Sequence, residues 1–141
     1  MTSDWLEQIE KALLGKRCEV VRRESDWALN LVGGGSIALP IPWRIIVGDR
    51  IAFAGEDDGQ WFGLSAPVDG QAKANELLGA RSIAGIKVDR QTLDLTILFD
   101  GAVRLDAFIN SSGYEGWHIH LPLDGGGQSV VALGGGEVAI Y

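Results

Sequence analysis

Residues 93–109 alternate in polarity. Leu93, Leu95, Ile97, Val103, Leu105, Ala107 and Ile109 are apolar, with Asp94, Thr96, Arg104 and Asp106 between them. A period of two, interrupted at Phe99-Asp100-Gly101, predicts a β-hairpin with one buried face. Parity decides the loop. A two-residue Asp-Gly loop would set Ile97 beside Arg104 on the same face. A three-residue loop of Phe99, Asp100 and Gly101, with Gly101 at positive φ, pairs Ile97 with Val103 and Leu95 with Leu105 and keeps that face apolar.

The same pattern occurs earlier. Trp27, Leu29 and Leu31 precede Gly33-Gly34-Gly35, and Ile37, Leu39 and Ile41 follow, so that each position lies 66 residues before its counterpart in the later hairpin. Val20 meets Ile86 at that same offset. Leu13-Leu14-Gly15-Lys16-Arg17 and Leu77-Leu78-Gly79-Ala80-Arg81 correspond at 64, and Trp43-Arg44-Ile45-Ile46-Val47 and Trp117-His118-Ile119-His120-Leu121 at 74. An ordered series of this kind predicts an internal duplication, with halves at about 4–64 and 70–141. A half of about 65 residues is near the minimum that folds alone, so the two should share one core within a single domain, residues 1–141.

Each half should begin with a helix. Residues 4–14 place Trp5, Ile9, Ala12 and Leu13 on one face, with Asp4 as N-cap, Glu7 completing a capping box and Gly15 just past the end. Residues 71–78 would bury Ala74, Leu77 and Leu78 and end at Gly79. Cys18 to Val21 read as a short strand, and residues 56–62 as an acidic turn leading into an aromatic strand that reaches Leu64. Pro122 should end pairing or mark a sheet edge, Gly125-Gly126-Gly127 a turn, and residues 137–141 a last strand. The expected fold is α+β and mainly antiparallel β, with two pseudo-symmetric repeats sharing a sandwich or barrel-like core.

The halves differ where function would be added. Leu39 reaches Trp43 in four residues, whereas Leu105 takes twelve to reach Trp117. The extra segment includes Asn110, Tyr114 and Glu115 in a polar loop. The first half carries its own addition, Glu56, Asp57 and Asp58 followed by Trp61 and Phe62.

Charge narrows the classes of partner. The formal net charge of −7 opposes a general nucleic-acid binder, which needs clustered Lys and Arg, and suits either solubility or attraction to a basic protein. No run of about 18 apolar residues exists, and the polar start lacks a leader pattern, so neither a membrane span nor a signal peptide is expected. The single cysteine, Cys18, excludes an internal disulfide, reads as a small buried hydrophobe and fits a cytoplasmic setting.

Little in the chain points to catalysis. His118 and His120, two apart on a strand, share a face and could hold a divalent metal with Glu115 or Asp124 as a third ligand; an ordinary polar strand face is the preferred reading. Ser111 or Ser112 with a histidine and an aspartate makes a triad only on paper, since no G-x-S-x-G elbow is present. The glycine clusters lack the Lys-Ser/Thr ending of a phosphate loop. Tyr114 and Glu115 have no counterpart in the first half and are the leading binding candidates, with Asn110, Glu56, Asp57, Asp58 and Trp61 beside them. No residue is assigned a catalytic role.

Leu95-x-Ile97-x-Phe99-Asp100-Gly101-x-x-x-Leu105, Tyr114-Glu115-x-Trp117 and the late Gly134-Gly135-Gly136 together resemble a family of small bacterial proteins of unknown function. The resemblance covers the last third to half of the chain and implies no activity. By analogy, some bacterial proteins of this size and make-up act as immunity partners of toxins. The expected function is therefore a non-enzymatic protein-binding module, an immunity-type partner of a basic toxin being one form of it. The alternative is a small-ligand or metal-binding barrel using the His118 and His120 face.

Overall fold

The alternating segments form strands and the two segments with i, i+4 apolar pairs form helices. The computed structural model describes residues 4–123 and 126–141. In chain order the elements are α1 (Trp5–Leu13), β1 (Cys18–Arg22), β2 (Trp27–Leu31), β3 (Ser36–Leu39), β4 (Trp43–Val47) and β5 (Arg50–Ala54). A 3₁₀ turn (Gly55–Asp57) and α2 (Gly70–Leu78) follow, then β6 (Ile83–Val88), β7 (Leu95–Phe99), β8 (Val103–Ala107), β9 (His118–Leu123), β10 (Gly126–Ala132) and β11 (Val138–Ile140).

The strands form two antiparallel sheets, one ordered β1-β2-β3-β9-β10-β11 and the other β5-β4-β8-β7-β6. The α+β, mainly antiparallel expectation holds. The barrel-like option does not, because both sheets remain open, with β1, β11, β5 and β6 as edges. Strands β9 and β10 join the sheet begun by β1 to β3, while β4 and β5 join the sheet that contains β6 to β8. The inner faces meet in one cluster in which Leu29, Ile37, Ile119 and Val130 of the first sheet and Ile45, Ile97 and Leu105 of the second are fully buried.

Helix α1 lies against β6 and β9, and α2 against β1 and β5. Their buried pairs are Ile9 with Leu13 and Ala74 with Leu78. Leu77, expected in the core, is only partly buried. Asp4 occupies the N-cap of α1 but makes no capping bond with its side chain, so the expected capping box is absent. Its carboxylate instead pairs with Arg90, whose guanidinium lies 5.1 Å from the Trp5 ring centroid. Gly15 takes the left-handed conformation expected after a helix, at φ +83°, whereas Gly79 stays right-handed at φ −62°.

Two of the sheet edges are covered by polar groups. The Asn75 side chain accepts from Val20 N at 2.7 Å and donates to Val20 O at 2.8 Å, much as a neighbouring strand would, and Gln71 Oε1 accepts from Arg22 N at 2.9 Å. On β6, Ile83 exchanges 2.8 Å backbone bonds with Gly15 and Lys16. Edge strands left bare offer templates for wrong pairing, and these contacts occupy them.

The later hairpin has the expected parity and a three-residue loop, but the loop is Asp100-Gly101-Ala102. Phe99 faces Val103, Ile97 faces Leu105 and Leu95 faces Ala107, correcting the expected pairing of Ile97 with Val103 and Leu95 with Leu105. The reason is burial: Phe99 is 4% exposed and belongs to the ladder rather than the turn. Gly101 and Ala102 carry the turn at φ +77° and +60°. In the earlier hairpin Trp27 faces Leu39 and Leu29 faces Ile37, and Leu31 N donates to Gly35 O at 3.0 Å. Leu31 thus stands where Phe99 does, and Trp27 where Leu95 does. Leu93 lies outside β7 at φ +67°, and its carbonyl accepts the Trp117 indole N–H at 2.7 Å. The aromatic strand expected to reach Leu64 does not form; positive φ at Phe62 and Gly63 turns that segment into a loop.

Candidate functional site

The loop after β8 is held by its own short side chains. Ser111 Oγ accepts from Gly113 N at 3.1 Å and from Tyr114 N at 2.9 Å, which coils residues 111–114 into a tight turn. A Cβ on Gly134 would lie 2.5 Å from Gly113 N, so only glycine there lets the C-terminal segment lie against this turn. Gly116 N bonds to Ala132 O at 2.8 Å and returns the chain to the sheet. The result is a fixed base for Tyr114, which is 82% exposed. Beside it, Glu115 Oε2 lies 3.0 Å from His118 Nε2.

Tyr114, Glu115 and His118 line a surface groove of about 590 Å³ together with Arg23, Asp26, Ala38 and Pro40. Asp26 and Pro40 also line a second hollow of about 450 Å³, which is walled by Trp27, Trp43 and Phe108 and reaches Glu56. Glu56 and Glu115, distant in sequence, therefore border two hollows that share Asp26 and Pro40, together a strip along this face. Arg23 holds Asp26 through two bonds of 2.7 and 2.6 Å, and Asp26 in turn raises the Arg23 pKa above its usual range. Arg44, at the same hollow, lies 3.6 Å from Asp106. Glu56 has no ion-pair partner among the described residues.

The acidic turn does not act as one surface. Asp57 Oδ2 accepts from Ala54 N at 3.0 Å, closing the 3₁₀ turn. Asp58 Oδ1 accepts from Gly70 N at 2.7 Å and its Oδ2 pairs with Arg22 at 2.6 Å, so this residue ties the start of α2 to β1. Asp58 bonding also raises the Arg22 pKa. Asn110 opens instead onto a shallow depression shared with Gln91, Thr92 and Gly135. Trp61, 56% exposed, lines neither hollow of the strip.

Tryptophans from both sheets wall the inner end of the strip. Trp27 and Trp43 meet edge to face with centroids 5.1 Å apart, and Phe53 lies 5.7 Å from Trp43. Trp117 gives its indole N–H to Leu93 O, whereas Trp43 Nε1 is buried without a hydrogen-bond acceptor.

His118 and His120 lie on the outer face of the six-stranded sheet and have separate partners. His118 meets Glu115, and His120 Nδ1 lies 3.1 Å from Ser129 Oγ on the neighbouring strand. Among the described residues, no three His, Cys, Asp or Glu side chains gather in a metal-like group. Asp124, the other expected third ligand, and Gly125 of the expected glycine turn lie outside the described residues. Gly126 and Gly127 belong to β10, and Pro122 pairs with Gly127 within β9, which is not an edge. Sequence reasoning missed Asp26 and Pro40, which join the two hollows. The only local sign was the run of charges 22–26 placed just before the first hairpin.

Comparison with family models, with curated proteins and with solved structures finds no match to this chain.

Proposed function

We propose that this protein is a non-enzymatic binding module for a basic protein partner, with the strip from Glu56 through Asp26 and Pro40 to Tyr114 and Glu115 as its contact surface. One observation carries the reading: two segments far apart in the chain border adjoining hollows that share Asp26 and Pro40. Tyr114 supplies an exposed aromatic anchor of the kind that dominates interface energetics. Glu56 supplies an unpaired negative charge, and the net charge of −7 attracts a basic partner at longer range. An immunity-type role in the bacterial cytoplasm, in line with the family resemblance of the last third to half of the chain, is the form of this reading we favour. No helix among the described residues is long and apolar enough to cross a membrane.

The test is affinity capture from the native host with the wild-type chain and a Glu56→Lys/Glu115→Lys variant, both checked for folding by thermal unfolding. A single high-pI protein should be captured by the wild type, lost to the variant and released by raised salt. Equal capture by the folded variant removes the strip from consideration.

A second reading rests on the hollow between Trp27 and Trp43. Its aromatic walls suit a small, largely apolar ligand. The geometry does not favour the metal form, since His118 and His120 have separate partners and neither they nor Glu115 line this hollow.

We infer also that the two halves are an internal duplication that has exchanged strands. Three features support it: matched strand orders in the two sheets, Trp43 and Trp117 at corresponding places, and paired i, i+4 stripes on the helices.

A further inference from the structure

The segment between the 3₁₀ turn and α2 is a closed loop. Gly59 N bonds to Val68 O and Val68 N to Gln60 O, each at 2.8 Å, so the neck is held by backbone bonds. At the tip Leu64 N bonds to Trp61 O at 2.7 Å, with φ +46° at Phe62 and +76° at Gly63. Positive φ at both central residues is the pattern of a type I′ turn, which ordinarily takes Asn, Asp or Gly. Phenylalanine there is strained. Three apolar side chains of this loop stand in water: Trp61, Phe62 and Leu64 are 56, 66 and 58% exposed.

Behind the tip runs a groove of about 430 Å³ against α2, with Phe62, Leu64 and Ala72 among its apolar walls. Its charged lining is Asp57, Asp69 and Glu76 against Lys73. None of the four makes an ion pair among the described residues. The groove is therefore apolar inside and net negative at its rim.

We propose that this loop and α2 dock a basic amphipathic segment of a protein partner. An apolar side chain of that segment seats between Phe62, Leu64 and Ala72, and flanking Lys or Arg side chains meet Asp69 and Glu76. Charge complementarity selects this occupant, and the negative rim disfavours an anionic membrane surface. The proposal rests on the reading above that the partner is basic, and adds the shape of what is recognised.

Titration calorimetry with the full chain tests it, using a Leu/Lys amphipathic peptide of about 18 residues, its Leu/Glu counterpart and neutral phosphatidylcholine vesicles. The Leu/Lys peptide should bind the wild type, and a Trp61→Ser/Phe62→Gly/Leu64→Ser variant should bind it about tenfold or more weakly. Glu76→Lys, at an exposed site on α2, should weaken it as well and serves if the triple variant unfolds. Equal affinity for wild type and folded triple variant overturns the groove. So does equal binding of the Leu/Glu peptide, or uptake by vesicles with no peptide binding. The captured host partner separates the two proposals: lost to Glu56→Lys/Glu115→Lys but kept by the loop variants, it sinks this inference alone.

Discussion

Asn75 carries more of the fold than its surface position on α2 suggests. Its amide bonds both backbone groups of Val20, so Asn75→Ala leaves a part-buried donor and acceptor unsatisfied at the edge of a sheet. The expected loss is about 1–3 kcal/mol, measured by urea unfolding. Gln71→Ala, which removes one bond at the exposed end of the same strand, should cost less. Burial pushes the Cys18 thiol up to about 12, so at neutral pH it stays protonated and should react with a thiol reagent only once the chain is unfolded. Asp4 and Asp89 behave oppositely. The Arg90 side chain lowers the first, and the Thr92 and Gln91 amides lower the second. The stability they contribute is present above the ordinary carboxylate pKa of 3.8 and is lost as the pH falls through their lowered values. Carboxylate NMR titration should find both below that value, and Arg90→Ala should return Asp4 toward it.

Among the elements, the loop at 59–68 sets stability against binding. Replacing Phe62 by Asn or Gly relieves the positive φ and should stabilise the chain by about 1 kcal/mol, raising Tm by a few degrees, while weakening the basic peptide. An unchanged or lowered Tm would mean that Phe62 packing outweighs its strain. The hairpins illustrate what polarity patterns can and cannot tell. Alternation and parity gave the strands and the loop length, because a shift of one residue would have turned Arg104 into the core. The shift of two left parity intact and was decided by the burial of Phe99, which no local pattern encodes. Residues 61–64 misled for a related reason: aromatic residues favour strands, but this segment turns at Phe62 and Gly63 inside a loop closed between Gly59 and Val68, a contact nine residues apart. Of the binding candidates, Tyr114, Glu115 and Glu56 share a strip because Asp26 and Pro40 join their hollows. That meeting depends on the packing of two sheets and had no signature in sequence.

At the scale of the molecule, the sheets are sewn together across the chain. Ile37 faces Ile119 where β3 meets β9, and Ile45 faces Leu105 where β4 meets β8. Residues 4–64 therefore leave two strands, β4 and β5, in the sheet of β6 to β8, and residues 70–141 leave three, β9 to β11, in the sheet of β1 to β3. Separate fragments covering 4–64 and 70–141 should each lack cooperative unfolding, and mixing them should restore it, as followed by circular dichroism during heating. Independent folding of either fragment would contradict a shared core.

The seam between β3 and β9 does not specify that both strands come from the same molecule. A second chain can offer the same edge with the same register, so refolding at high concentration should yield a fraction of dimers in which halves are traded between chains. Such a dimer would hide nothing that the monomer exposes and would carry two copies of the strip and two aromatic loops. It would meet a partner with two sites at once, and its apparent affinity would rise without any new contact.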